Sequence, residues 1–152
     1  MNTFEQLAKI YREIDTVYAS VEMDARFRGH GKKETEYKNR RLHNDQAYFL
    51  YMFTRLEDRV GELTDKLINK NKSRITNKKL TRLLELIQQR NRSGLYFLDR
   101  VSILTQRGER DFNLIKEYYE QRNKIAHGGT FTVTISIETV IADMNRLYKD
   151  LA

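Results

Sequence analysis

The chain contains no proline, and only seven of its 152 residues are glycine. Proline interrupts a helix because it lacks a backbone N–H and because its ring clashes with the preceding turn. A chain without proline lacks the strongest interruption of a helix, so its helices can be long. The remaining sequence is rich in Leu, Glu, Lys, Arg and Gln, which lose little side-chain freedom in a helix. These features predict an all-α fold, a helical bundle of five to six helices.

Glycines and apolar spacing divide the first half of the chain into two helices. The first is expected to begin at Asn2 or Thr3, either of which can cap it, and to end near Phe27, before the sequence GHG at 29–31. The tract 26–41 is interpreted as a loop or a frayed helix start. A long helix over 43–72 follows. Its apolar residues are spaced alternately by four and three, which is typical of a helix that packs lengthwise on others: Phe49, Phe53, Leu56, Val60, Leu63 and Leu67.

The second half is divided by basic and glycine-containing stretches. Its predicted segments are a basic connector over 71–79, helices over 80–90, 95–106 and 109–127, and a break at 92–94. Gly128 and Gly129 are expected to end the helix over 109–127. Residues 130–135 alternate like a strand, but a lone strand has no partner, so they are interpreted as an extended loop. Ser136 can begin a final helix.

Composition sets the class of protein and of partner. The length suits a single domain over residues 1–152. The chain has no cysteine, no apolar signal segment and no run long enough for a membrane span, so a soluble cytoplasmic protein is expected. The 28 Lys and Arg residues exceed the 21 Asp and Glu residues, which gives a formal net charge of +7. This excess favours a polyanionic partner such as nucleic acid, or it serves solubility alone.

The sequence RNKIAHGG at 122–129 places one of only three histidines at a helix end. At about 100° per residue, Arg122, Asn123 and His127 lie within one side of the helix, with the small Ala126 between them. The core stripe is predicted to be Leu114, Tyr118 and Ile125. A second apolar group lies on the same side as the motif: Phe112, Ile115 and Tyr119. The remaining face carries Glu117, Glu120, Gln121 and Lys124. This excess of apolar surface predicts either a dimer interface with a functional site at its edge, or a central helix that is buried on two sides.

Arg122, Asn123 and His127 suit phosphodiester chemistry. An imidazole titrates near neutral pH and can accept or donate the proton of a hydroxyl. A guanidinium remains charged and binds phosphate oxygens through two hydrogen bonds, which stabilises charge in a transition state. Asn123 can hold the imidazole tautomer or bind a phosphate oxygen. A second acid or base is missing from one helix, and a two-fold dimer would supply it.

Other catalytic patterns are not found in the sequence. It contains no phosphate-binding glycine loop, no serine nucleophile elbow and no acidic trio, and no cofactor is expected. His43 near Asp45, and His30 between glycines, lack convincing metal-ligand spacing, so exposed histidines are expected at both places. Without a metal-bound water, the hydroxyl most easily recruited is the 2′-OH of RNA.

The motif resembles the signature of the HEPN domains, an arginine, often followed by a polar residue, and a histidine after four to six intervening positions near a helix end. Arg122, Asn123 and His127 match it in RNKIAHG, and residues 44–60 look like the long early helix of some members. The resemblance implies a helical bundle that dimerises through the motif helix. It also implies a metal-independent endoribonuclease of the kind found among toxins of toxin–antitoxin pairs and effectors of antiviral defence. His127 would then be the general acid or base, and Arg122 the ligand of the phosphate and the transition state.

Three hypotheses follow for the motif. The first is a homodimeric endoribonuclease, with an antitoxin or regulatory protein as a possible further partner. The second is a non-catalytic dimer that binds RNA, a nucleotide or a protein, and the third is a purely structural helix end. Glu57 is interpreted as a hydrogen-bond partner of Arg122 or His127, or as an exposed carboxylate. Four basic residues either hold the RNA backbone or form a solvated loop: Lys72, Arg74, Lys78 and Lys79.

Overall fold

The computed structural model describes residues 3–72 and 96–151, together with the isolated positions 78, 79, 82 and 85. Within the two continuous ranges the chain forms five helices and no strand. The helices are α1 (Thr3–Phe27), α2 (Gly31–Lys72), α3 (Phe97–Leu104), α4 (Arg110–Ala126) and α5 (Ile137–Asp150). The prediction of an all-α fold is therefore confirmed for the described residues. None of these helices combines the length and the apolarity that crossing a bilayer requires.

The chain is divided into two compact units. The first comprises Met1–Thr54 and Glu120–Arg146, and the second comprises Arg55–Tyr119 and Leu147–Ala152. Because the boundaries fall inside helices, α2, α4 and α5 contribute residues to both units. The motif residues 122–129 belong to the first unit, whereas Glu57 belongs to the second. Glu57 is half-buried, so its interpretation as an exposed carboxylate is wrong.

The first unit contains a hairpin of α1 and the first part of α2. Gly29 permits the turn because its φ of +70° lies in the left-handed region. The helix α2 begins at Gly31, so the interpretation of the tract 26–41 as a loop or a frayed start is wrong for most of its length. Contacts between the two helices explain the difference, since they stabilise this polar stretch as helix. The Arg41 guanidinium donates to Asp15 at 2.8 and 3.2 Å and to Glu22 at 3.1 Å.

The buried stripe of α2 follows the predicted pattern only in its first part. Four of the predicted core residues are fully buried: Phe49, Phe53, Leu56 and Val60. Further along, Leu63 is half-buried and Leu67 is exposed, while Thr64 and Ile68 are buried instead. After Val60 the buried positions are spaced by four residues, at Thr64 and Ile68, so the buried face lies one residue later than the alternation of four and three predicts.

The second unit packs α3 against the first part of α4. The rings of Phe97 and Tyr119 lie 5.1 Å apart between centroids. The Thr64 hydroxyl donates to the carbonyl oxygen of Arg100 at 3.5 Å, which gives this buried polar side chain a partner. The Arg59 guanidinium lies 5.1 Å from the centre of the Tyr148 ring. Tyr119, predicted to lie on the motif side of α4, is thus partly covered within its own unit.

The region between α2 and α3 includes several predicted features that lie outside the described residues. They are most of the connector 71–79, the helix over 80–90 except for two helical positions, and the break at 92–94. Among the basic residues of the connector, Lys78 and Lys79 are described, and both are exposed. The helix over 95–106 is confirmed as α3, within two residues at each end.

We expect Tyr11→Phe to lower the free energy of unfolding by about 1–3 kcal/mol, because it leaves a partly buried carboxylate without its donor. The Tyr11 hydroxyl donates to Asp45 Oδ1 at 2.8 Å, and the tyrosine is 8% exposed. Urea denaturation near neutral pH measures the difference. Tyr18→Phe is the matched control, because Tyr18 is half-buried and contacts Tyr37 through its ring. An equal loss in both variants would contradict this role of the Tyr11–Asp45 bond.

The same pair predicts an alkaline dependence of stability. Burial raises the pKa of the Tyr11 phenol, and the hydrogen bond to Asp45 adds to the shift. A raised pKa in the folded state contributes stability below the ordinary tyrosine pKa of about 10, and this contribution is lost as the pH rises further. The stability difference between the wild type and Tyr11→Phe should therefore shrink above about pH 10.

Candidate active site at the end of helix α4

Helix α4 ends at Ala126 in a turn that Gly128 and Gly129 close. The backbone N–H of Gly128 donates to the carbonyl of Ile125 at 3.0 Å, and that of Gly129 donates to the carbonyl of Lys124 at 2.9 Å. This pair of bonds defines a Schellman motif, which requires a left-handed residue after the helix end. Gly128 meets the requirement with a φ of +82°. The prediction that the two glycines stop the helix is confirmed.

The loop after this turn is held by three contacts within the first unit. Gln121 is buried, and its side chain accepts from the backbone N–H of Thr132 at 2.9 Å and donates to the Thr132 hydroxyl at 2.9 Å. Gln46 on α2 donates to the Thr130 hydroxyl at 3.0 Å. The Phe131 ring meets Phe49 edge-on at 5.4 Å. The extended loop is therefore fixed in position, although it makes no strand.

The loop and the helix end enclose an open depression of about 500 Å³. Six residues of the first unit line it: Asn123, Lys124, His127, Gly129, Thr130 and Thr132. No carboxylate is among these described lining residues. One side chain carries an ammonium, one an imidazole, and three a hydroxyl or an amide. These groups can bind an anion, although most of the accessible surface of the depression is carbon.

The three predicted catalytic residues are close in sequence, but they don't all face the depression. Asn123 and His127 line it, whereas Arg122 is not among its lining residues. Five helical steps turn Arg122 and His127 about 140° apart, which explains the separation. The Arg122 side chain donates to Asn123 Oδ1 at 3.3 Å and is half-buried. Arg122 is thus linked to the depression through Asn123.

His127 is the exposed acid–base group of the depression. Its backbone N–H donates to the Asn123 carbonyl at 3.1 Å, but within the described residues its imidazole has no hydrogen-bond partner. Asn123 therefore does not hold the imidazole tautomer in this structure. Because Asn123 Oδ1 accepts from Arg122, its NH₂ group is the part that can donate to a phosphate oxygen.

The buried face of α4 is broader than the sequence indicates. Tyr118 and Ile125 are buried as predicted, but Leu114 is only half-buried and Ile115 is fully buried. Ile115 lies within about 20° of Arg122 around the helix, so Arg122 lies at the edge of the buried stripe. Gln121 was predicted to lie on the polar face and is buried, because its amide binds the loop.

Sequence reasoning did not identify Lys124, Thr130 and Thr132 as residues of the site. The sequence predicts Lys124 on the remaining face of the helix, with Glu117 and Glu120, and both threonines in an extended loop. Their only signal in the sequence is the alternation of hydroxyl and apolar residues in TFTVT, which places Thr130 and Thr132 on the same side of an extended segment. The position of this segment depends on Gln46 and Gln121, which the pattern does not reveal.

The other histidines lie outside the depression. His30 and His43 are both exposed, as the sequence predicts. In the described parts of the chain, no group of three or more His, Asp or Glu side chains is arranged to hold a metal ion. The carboxylate nearest to His43 in sequence, Asp45, is bound by Tyr11, and burial raises its pKa.

We expect Gly129→Ala to lower the free energy of unfolding by about 1–3 kcal/mol, the usual effect of adding a group to filled space. A Cβ atom at Gly129 would lie 2.9 Å from the Lys124 carbonyl oxygen, which is fixed as a helix acceptor. Gly31→Ala is the control, because a Cβ there meets no atom within 4 Å. Urea denaturation of both variants is the measurement, and a Gly129→Ala protein as stable as Gly31→Ala would contradict the packing described for the turn.

Comparisons with known proteins give no relative for this chain. No protein-family model, no curated protein and no solved structure matches it. The similarity of RNKIAHG to the HEPN signature therefore stays a resemblance in a short motif. An assignment of function has to be argued from the residues at the end of α4 and from their surroundings.

Proposed function

We propose that the chain is a metal-independent endoribonuclease of the HEPN type, with its site at the interface of two copies. The substrate is RNA, and cleavage proceeds by attack of the 2′-OH on the adjacent phosphate. The observation that carries the proposal is the exposed imidazole of His127 on an open depression that has a cation and no carboxylate among its described lining residues. A purely structural role of His127 at the helix end would not require an open depression or a neighbouring cation.

The reaction needs two proton transfers. A bond forms between the 2′-oxygen and phosphorus while the bond from phosphorus to the 5′-oxygen breaks. The 2′-OH proton passes to one imidazole, and the departing 5′-oxygen takes a proton from a second, protonated imidazole. The products carry a 2′,3′-cyclic phosphate and a 5′-OH. One copy of the chain places a single histidine at the depression, and a two-fold dimer supplies the second.

The angular separation of Arg122 and His127 also favours a composite site. In one copy, Arg122 does not line the depression that His127 lines. Two copies related by a two-fold axis at α4 would each bring an Arg122 toward the depression of the other. There the guanidinium would bind the non-bridging phosphate oxygens and stabilise the charge that builds in the transition state. Asn123 accepts a hydrogen bond from Arg122 at 3.3 Å and would orient the guanidinium.

The net charge of the chain supports RNA as the ligand. A formal charge of +7 attracts a polyanion and releases its counterions on binding. The resemblance to HEPN toxins and defence effectors adds a biological role: unrestrained cleavage of RNA would harm the cell. We therefore propose that a second protein, an antitoxin or a regulator, restrains the activity.

A second candidate is a dimer that binds RNA or a nucleotide without cleaving it. The lining of the depression favours it, because it contains a cation, an amide and two hydroxyls that can bind an anion. Under this alternative, Arg122 acts only as an anion ligand, and His127 neither transfers a proton nor contributes to binding. The two candidates differ in whether the wild-type protein cleaves RNA and whether replacing His127 slows that cleavage.

We expect His127→Ala to slow RNA cleavage in excess EDTA by at least about 100-fold, the usual contribution of a general acid or base. His43→Ala is the matched control, since His43 is an exposed helical histidine outside the depression, and it should cleave at the wild-type rate. Gel analysis of a labelled RNA measures both rates. Circular dichroism should show equal helix content, because both side chains are exposed.

Two outcomes would contradict catalysis by His127. Cleavage by His127→Ala at the wild-type rate would remove its role as acid or base. Intact RNA with the wild-type protein, together with RNA binding that Arg122→Ala weakens and His127→Ala leaves unchanged, would establish the binding module instead.

A further inference from the structure

Lys124 contributes an ammonium group to the depression that His127 also lines. The two residues are three apart in the sequence, with Lys124 in the last turn of α4 and His127 directly after the helix, and both line the depression. Asn123 lies on the same side, whereas Arg122 does not line the depression. A ligand that reaches His127 within one copy therefore meets the ammonium of Lys124 before it meets any guanidinium of that copy.

The Lys124 ammonium is held by the loop. It donates to the Thr132 hydroxyl at 3.2 Å. Thr132 is itself fixed by Gln121, which is buried and binds both its backbone N–H and its hydroxyl. A lysine on a helix surface normally samples many rotamers, and this chain of contacts limits them. The ammonium is exposed, and its bond to Thr132 holds it beside the loop that lines the depression.

The polar groups around Lys124 are suited to an anion. A surface lysine is commonly neutralised by a carboxylate, but none is among the described lining residues, and Lys124 bonds to a hydroxyl instead. The Asn123 amide and the Thr130 hydroxyl add hydrogen-bond donors to the same surface. An ammonium with neutral donors around an open space is a common arrangement for phosphate.

We propose that this depression is a phosphate-binding subsite in which Lys124 binds a backbone phosphate next to the cleaved linkage, and Thr132 positions Lys124. The inference rests on the proposed function, since it takes RNA as the ligand. It separates two roles: Lys124 holds the strand in the ground state, whereas His127 transfers protons in the reaction. Binding that is equal in ground and transition states affects KM and leaves kcat unchanged.

The first test measures binding without cleavage. The probe is a fluorescent single-stranded RNA in which every 2′-OH is methylated, so that it has no attacking hydroxyl, and binding is followed by anisotropy over a range of salt concentrations. Loss of one phosphate contact reduces the slope of log K against log salt by about 0.7 for a single strand. At about 0.1 M salt this corresponds to an affinity about fivefold lower, which we expect for Lys124→Gln.

Lys33→Gln is the matched control for the change in net charge. Lys33 is exposed on α2, about 20 Å along the helix axis from Gln46, which holds the loop. It should retain the wild-type salt slope. With cleavable RNA, Lys124→Gln should raise KM about fivefold and keep kcat within about twofold, whereas His127→Ala lowers kcat.

The positioning role of Thr132 has its own test. Thr132→Val removes the hydroxyl that accepts from Lys124, and Thr132→Ser restores it. We expect Thr132→Val to weaken binding of the methylated RNA and Thr132→Ser to recover the wild-type affinity. The double variant Lys124→Gln, Thr132→Val should bind no more weakly than Lys124→Gln alone, because Thr132 acts through Lys124. Melting temperatures of each variant separate this effect from loss of the fold.

The outcomes distinguish this inference from the proposed function. If the wild type binds and cleaves RNA but Lys124→Gln keeps the wild-type affinity and salt slope, the phosphate subsite is wrong and the endoribonuclease stands. If the wild type binds the methylated RNA through Lys124 but cleaves no RNA, the phosphate subsite is supported and the proposed endoribonuclease activity is wrong. If the wild type binds no RNA, both proposals are overturned.

Discussion

The candidate site depends on how helix α4 ends. Gly128 adopts a left-handed conformation, and the N–H groups of Gly128 and Gly129 bind the carbonyls of Ile125 and Lys124. This turn reverses the chain directly after His127, so the following loop returns alongside the last helical turn. The bonds from Gln121 to Thr132 then fix the loop. Without this closure, His127 would be an isolated side chain at a helix end, and Lys124 would have no hydroxyl to bind.

The helical architecture could be predicted because its signals are local. The absence of proline, the positions of Gly29 and Gly128, and the periodicity of α2 and α4 indicate where helices form and end. The sequence predictions are wrong where contacts with residues distant in the sequence determine the local structure. The tract 26–41 is helical because Arg41 binds Asp15 and Glu22 on α1. Contacts of this kind have no signature in the tract itself.

The site was predictable in part for the same reason. The residues Arg122, Asn123 and His127 form a compact motif, and a helical wheel shows that Asn123 and His127 share a side. The loop residues Thr130 and Thr132 were not predictable, because Gln46 is 84 residues away from Thr130 and the buried Gln121 resembles a surface residue in the sequence. The resulting depression combines local helix geometry with two such long-range bonds. His127 and Lys124 both line the depression, and Arg122 lies next to it through its hydrogen bond to Asn123.

The central claim is that His127 supports cleavage of RNA by its own 2′-OH. The most direct measurement is mass spectrometry of the fragment ends produced in excess EDTA, first on an RNA cut by the wild-type protein and then on the same RNA with a single 2′-deoxynucleotide at the mapped linkage. We predict 2′,3′-cyclic phosphate and 5′-OH ends, and no cleavage at the 2′-deoxy linkage. Ends with a 3′-OH and a 5′-phosphate, or continued cleavage at the 2′-deoxy linkage, would contradict it.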